Sequence, residues 1–327
     1  MSNLTLSTYQ PPLAFRSAHL NTVYPALFRS VPDVTYERER LDTPDDDFVD
    51  LDISRVGSER VVMVLHGLEG SAQRPYVRGM IRRFNRAGWD GVGFNFRSCS
   101  GEMNRQLVSY NMAATNDVDL AVRHLIERHG YREIVLVGFS LGGNVTLNYL
   151  SDGKFAVPPE VRCAICFSVP VHIPSANKYI DQFQNWAYRD RFMRSLMTKV
   201  REKAKQHPQL LETLNGTNRP RRFYDFDGAF TAPIHGYRGA EHYWETASSL
   251  QHLPNLKTPT LLVQAADDTF LSPECYPREL AETHDYLHLE IPPWGGHCGF
   301  VTRSADGTYW SEHRAVEFVE SLGVRNF

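Results

Sequence analysis

The sequence predicts an α/β fold: a mostly parallel central sheet with helices on both faces and a helical cap inserted late in the chain. Three observations carry this expectation. Five short apolar runs rich in Val, Ile and Leu (Val61 to Leu65, Gly91 to Phe96, Ile134 to Val137, Cys163 to Val169 and Thr260 to Gln264) read as strands buried on both faces. Helical patterns alternate with them, which is the rhythm of a doubly wound sheet. One of these runs leads directly into Gly138-Phe139-Ser140-Leu141-Gly142 and then into an apolar helical stretch, Asn144 to Leu150.

Taken along the chain, Asp45-Asp46-Asp47 follows Thr43-Pro44 and precedes an alternating stretch, Phe48 to Ile53, so a hairpin with a solvated turn is expected. The clearest helix is Val118, Ala121, Val122, Leu125 and Ile126, one face of a 3.6-residue period. It should stop near Gly130. From about 173 to 239 the strand–helix rhythm breaks. Segments Lys178 to Tyr188, Arg191 to Gln206 and Gln209 to Leu214 look helical, and a Gly/Pro/aromatic segment follows. Because strand returns afterwards, the segment reads as a cap inserted into a single domain spanning 1–327. Its aromatic residues Tyr179, Phe183, Trp186, Tyr188 and Phe192 are either plain packing or part of the lining of an acyl pocket.

Composition narrows the function. With 327 residues the chain can bury a large core without staples. A net charge of −3 offers no basic field, so no nucleic-acid partner is expected. Five scattered cysteines do not form a disulfide framework. Cys163 and Cys166 stand three apart on a strand, hence on opposite faces, and read as free core thiols and not as a redox pair. The opening Met1-Ser2-Asn3-Leu4-Thr5 lacks a signal-peptide pattern, and no apolar run is long enough for a transmembrane segment. A reduced, cytoplasmic protein is expected, with peripheral membrane contact left open and the oligomeric state unread.

The motif around Ser140 has the setting that gives it meaning, a sharp turn from strand to helix. That turn strains the serine backbone and demands small residues two before and two after it, here Gly138 and Gly142. The hydroxyl then projects beside the positive end of the following helix. A serine needs a base and an orienting acid, and in this arrangement the chain order is Ser, acid, His. The strand Thr260 to Gln264 ends in Asp267-Asp268, and the strand Tyr286 to Ile291 leads to Gly295-Gly296-His297-Cys298-Gly299. His297 is therefore the expected general base. Asp268 is favoured as the acid because a short loop ending in Pro273 follows it; Asp267 stays open, and whichever is not the acid should cap backbone N–H groups. The oxyanion donors are expected to be backbone amides, that of Leu141 and, in the loop His66-Gly67-Leu68-Glu69-Gly70, that of Leu68. His66 lies on the wrong side of the chain order and should shape its loop. His284 and His288 are four apart on a strand, about 13 Å, too far to share a metal. Gly91-Val92-Gly93 lacks the rest of a dinucleotide fingerprint. No metal and no cofactor are expected.

Over nearly its whole length the chain resembles the YheT-like α/β-hydrolases, bacterial relatives of the ABHD1/ABHD3 group and of plant EMB8-like proteins. The marks are His19 to Arg29, His66 to Gly70, Asn95 to Gly101, the Ser140 turn, Tyr243 to Ser249, Asp267-Asp268 and Gly295 to Phe300. The resemblance implies an α/β-hydrolase fold and hydrolysis of carboxylic esters, with short- or medium-chain acyl or lipid-like esters as the substrate class. It also supports Ser140, Asp268 and His297. Two places depart from the family pattern: Ser98 stands where the family has Gly in Arg-Gly-Cys-Ser-Gly, and Tyr110-Asn111-Met112-Ala113 stands where it has Tyr-His-Ser-Gly. Both bear on substrate preference and not on the three site residues. An acyltransferase using the same residues, or a member that only binds a ligand, shares these sequence features.

Overall fold

The computed structural model describes residues 3–216 and 220–323. Nine strands form one sheet: β1 (Leu4–Thr5), β2 (Glu37–Thr43), β3 (Asp47–Ser54), β4 (Arg60–Leu65), β5 (Asp90–Asn95), β6 (Glu133–Phe139), β7 (Val161–Phe167), β8 (Thr260–Val263) and β9 (Leu287–Glu290). Their spatial order is β1-β9-β8-β7-β6-β4-β5-β3-β2. The hairpin β2–β3 and the pair β3–β5 are antiparallel; every other pairing is parallel. The sheet grows in opposite directions from β4 and β6, so the crevice at their C-terminal ends is a topological switch point, the usual place for a ligand in such folds.

The flanking helices are α1 (Ala18–Phe28), α2 (Pro75–Arg86), α3 (Thr115–Glu127) and α4 (Leu141–Ser151). Later come α5 (Ile173–Ile180), α6 (Trp186–Gln206), α7 (Leu210–Gly216), the short α8 (Phe223–Phe226) and α9 (Ala232–Ile234), then α10 (Ala240–Ala247), α11 (Arg278–Thr283) and α12 (Trp310–Ser321). Strand alternation divides the core between the two faces. Val62, Val64, Val135, Val137 and Cys163 join one cluster, and Val61, Met63, Leu65, Leu136 and Cys166 join the other. The two thiols thus point to opposite faces, both free and buried, and burial pushes the Cys163 thiol up to about 12.

Between β7 and β8 the chain is helical and has its own apolar cluster, including Ile180, Met193, Met197, Phe223, Phe230 and Trp244. One expected helix divides here. α5 ends at Ile180 and α6 starts at Trp186, because buried Asn185 spends its side-chain amide on the carbonyls of Tyr179 and Thr269. The acidic turn also departs from expectation. Asp46 faces water, but Asp47 is fully buried, where it pairs with Arg97 and accepts the side-chain amide of Asn104. A charge run in sequence did not reveal that Arg97, fifty residues on, gathers Asp45, Asp47 and Asp117. Among the described residues no helix is long and apolar enough to cross a membrane.

Candidate active site

Ser140 is the residue between β6 and α4, with φ 53° and ψ −117°, a conformation most side chains avoid. The crowding that enforces glycine on either side is explicit. A Cβ on Gly138 would stand 2.5 Å from the Cα of Gly143, and one on Gly142 would stand 2.4 Å from the carbonyl oxygen of Leu65. The strain is held by the Ser140 N–H, which donates to the Phe167 carbonyl at 2.9 Å, and by Asn144, whose side-chain amide ties α4 to the carbonyls of Met112 and Ala247.

His297 lies in the loop after β9, and its Nε2 is 2.9 Å from the Ser140 Oγ. Its Nδ1 is 2.9 Å from Oδ2 of Asp268, whose side chain is wholly shielded from solvent. An ionised carboxylate only accepts, so Nδ1 carries the proton, Nε2 presents its lone pair, and the serine hydroxyl donates to it. Burial favours the neutral imidazole, but the Asp268 carboxylate and Cys298 outweigh it and move the histidine upward from its ordinary range. The Asp268 Oδ1 accepts the Phe270 N–H at 2.9 Å, and the Phe270 ring lies 4.3 Å from the imidazole, centroid to centroid. Asp267 turns elsewhere. It accepts the N–H of Gly296 at 2.9 Å, and burial pushes its carboxyl up to about 6.

The glycines around His297 have a second cause that the sequence did not show. Helix α1 passes directly against them: a Cβ on Gly296 would meet the Ala18 carbonyl at 2.4 Å, and one on Gly299 would meet the Asn21 carbonyl at 2.1 Å. From that position the Thr22 hydroxyl accepts the His297 N–H, and Asn21 accepts the Val301 N–H. Ser168, which was expected to continue a strand, instead has φ 54°, and its hydroxyl accepts the Cys298 N–H at 2.9 Å. No periodicity announces such long-range contacts. The stretch His19 to Arg29 was visible only as a family mark.

The loop after β4 forms a turn closed by the Gly70 N–H on the Gly67 carbonyl at 3.0 Å. Leu68 lies inside that turn, and Leu141 is the first residue of α4. Among the described residues neither amide is taken by a protein acceptor, and both residues line the cavity shared by Ser140 and His297. Buried His66 donates from Nδ1 to the Gly67 carbonyl and accepts the Phe96 N–H at Nε2, and burial lowers it to about 4, so it stays neutral and shapes the turn.

Two cavities meet at Ser140. One, of about 170 Å³, runs beneath the helical segment and is lined by Ile180, Phe192, Leu196, Leu210, Phe223 and Phe226. The other, of about 230 Å³, opens between α1 and α6 past Val23, Leu27, Arg74, Tyr188 and Arg191. Ser98 and Asn111 both stand on the wall of the first. Ser98 takes φ 63°, a conformation suited to glycine, while its hydroxyl accepts the Asn104 N–H at 3.1 Å; Asn111 caps the Ala113 N–H at 2.7 Å.

Away from this site, Glu39, His124 and His129 cluster with potential metal-ligating atoms within 4.8 Å of one another. Arg55 donates to Nδ1 of His129, which leaves Nε2 protonated and donating to Glu39. Both ring nitrogens of His129 are thereby engaged in hydrogen bonds, and His124 bonds the same carboxylate through its Nε2.

A strand–serine–helix turn at a switch point, an imidazole and a shielded carboxylate past later strands define a class of fold. The chain belongs to the α/β-hydrolase family, whose model, described as the alpha/beta hydrolase fold, matches residues 60–304. Within it the relatives are YheT-like. YheT of Escherichia coli K12 is 32% identical over 296 residues, covering 89% of this chain and 86% of that protein. The phospholipase ABHD3 of Mus musculus is 26% identical over 306 residues, 90% of this chain and 73% of that protein. An esterase structure from Pyrococcus furiosus superposes with a TM-score of 0.60 at 18% identity, over 97% of this chain and 99% of that one, a likeness of fold.

Proposed function

We propose that the chain is a serine hydrolase that cleaves carboxylic esters with short or medium acyl chains, or lipid-like esters, through an acyl-enzyme. The observation that carries this reading is the continuous hydrogen-bonded series from the shielded Asp268 through His297 to the Ser140 hydroxyl, which stands on a cavity wall. In the first step the Ser140 Oγ attacks the ester carbonyl as Nε2 of His297 takes its proton, and Asp268 stabilises the imidazolium. The Leu68 and Leu141 amides receive the developing oxyanion, each such donor contributing about 3 kcal/mol. The imidazolium then protonates the departing alcohol. Water then attacks the acyl carbon while His297 takes its proton, and the carboxylic acid leaves as His297 returns that proton to the Ser140 Oγ.

The substrate class is supported by the apolar lining under the helical segment, which suits an acyl chain. The lipid-directed name of ABHD3 points the same way. Purified protein should hydrolyse nitrophenyl esters drawn from a C2 to C12 panel and release free acid without an added acceptor, while Ser140→Ala should be inactive on the same panel. Inert wild-type protein would remove the ester-hydrolase reading, and nitrophenol release that depends on an added alcohol or thiol, with the acyl group recovered as the new ester or thioester and little free acid, would turn it into an acyltransferase.

A further inference from the structure

Glu69 stands beside Leu68 in the β4 loop and separates the two cavities, lining both. Its backbone holds φ 56°, the third position of the turn from Gly67 to Gly70, where glycine is the usual occupant. A glutamate held there needs external support, and every polar atom of this residue has it. Its N–H donates to the Tyr110 hydroxyl at 2.9 Å, and its carbonyl accepts Arg74 at 2.9 Å. Its Oε1 accepts the Tyr110 hydroxyl at 2.7 Å and the Lys199 ammonium at 2.9 Å, and its Oε2 accepts the Ser195 hydroxyl. Burial alone would raise this carboxyl; Lys199 and the two hydroxyls outweigh it and keep it ionised.

Ser195 and Lys199 are four apart on α6, one turn of the long helix that roofs the acyl cavity. The turn that carries the Leu68 amide is therefore fastened to the helical segment through a shielded ion pair. We infer that Glu69 and Lys199 are a positioning pair for the oxyanion donor: seating α6 over the acyl cavity holds the turn in its left-handed conformation and with it the Leu68 N–H. Releasing the pair lets the turn relax, and the amide moves with it. A buried carboxylate that loses its cation is also poorly tolerated where it stands, which drives the same displacement. The inference rests on the ester-hydrolase reading and adds a role for two residues that do not themselves touch the reacting atoms.

The test is the rate ratio between an aryl butyrate and its thionoester. A thiono sulfur accepts hydrogen bonds poorly, so the ratio reads the oxyanion donors and is blind to the folded fraction. Lys199→Met should cut kcat on the oxygen ester by roughly tenfold to a hundredfold, change the thionoester rate far less, and leave KM nearly constant. Lys199→Arg, which keeps the cation, should restore the ratio. If Lys199→Met does not fold, Glu69→Gln is measured in its place with the same expectation. Equal losses on both esters, or an unchanged ratio, would overturn the positioning role. Wild-type turnover that survives Ser140→Ala would instead remove the hydrolase reading, a separate outcome.

Discussion

The hydroxyl of Thr22, on α1, accepts the backbone N–H of His297 at 2.9 Å, across 275 residues of chain. The bond fixes the loop that presents the imidazole, and it explains why Gly296 must lack a side chain: a Cβ there would reach the same hydroxyl at 2.6 Å. Thr22→Val keeps the shape and removes the acceptor. Losing this hydrogen bond costs about 1 kcal/mol of stability, which should lower the melting temperature by about 2 °C, and the loosened histidine loop should lower kcat several-fold. Ester kinetics alongside a thermal melt check this; unaltered kcat would show that α1 does not hold the histidine.

The two adjacent aspartates should separate cleanly. Asp268 accepts from His297, so Asp268→Asn should reduce kcat by on the order of 10⁴-fold, since an amide favours the wrong imidazole tautomer. Asp267→Asn should leave kcat within a few-fold, because that side chain accepts from Gly296 instead. Rates for both variants on one ester decide the assignment, and the reverse pattern would exchange the two residues.

Asp267 also makes a prediction about stability. Its folded carboxyl titrates near 6 because burial raises it, against about 3.9 in an unfolded chain. Between those values the folded state holds the extra proton, so raising the pH through this window costs stability. Asp267→Asn should therefore raise the melting temperature at pH 8 and lose that gain below about pH 4. A gain independent of pH would contradict the burial argument.

Activity should depend on pH with the opposite sense. In the proposed reaction His297 must be neutral to accept the serine proton, and Asp268 moves its pKa upward despite burial. The acid limb of kcat/KM should then lie above about 6.5, the ordinary histidine value, with activity rising as pH rises through it. In Asp268→Asn the residual activity should show this limb at lower pH. A wild-type limb at or under the ordinary value would mean that the carboxylate does not govern the imidazole.

Much of the architecture was readable in advance because it is periodic or local. Apolar runs gave the parallel strands, and the spacing of Val118 to Ile126 gave α3. The turn around Ser140 is a local steric problem with one solution. The meeting of Asp268 and His297 beside Ser140 could be anticipated because each follows a strand closely. What escaped was long-range side-chain-to-backbone bonding, which has no period. Thr22 on His297, Ser168 on Cys298 and Asn185 on Thr269 are of that kind. The burial of Asp47 escaped for a related reason: a charge run looks solvated until the partner Arg97 is known.

The most direct measurement is covalent labelling of the folded protein by a fluorophosphonate, read by intact mass and peptide mapping. A hydrogen-bonded Ser140–His297–Asp268 series that activates the hydroxyl predicts one adduct, on the peptide containing Ser140, absent from Ser140→Ala and strongly slowed in His297→Ala. An unlabelled wild type, or equal labelling of wild type and Ser140→Ala, would contradict it.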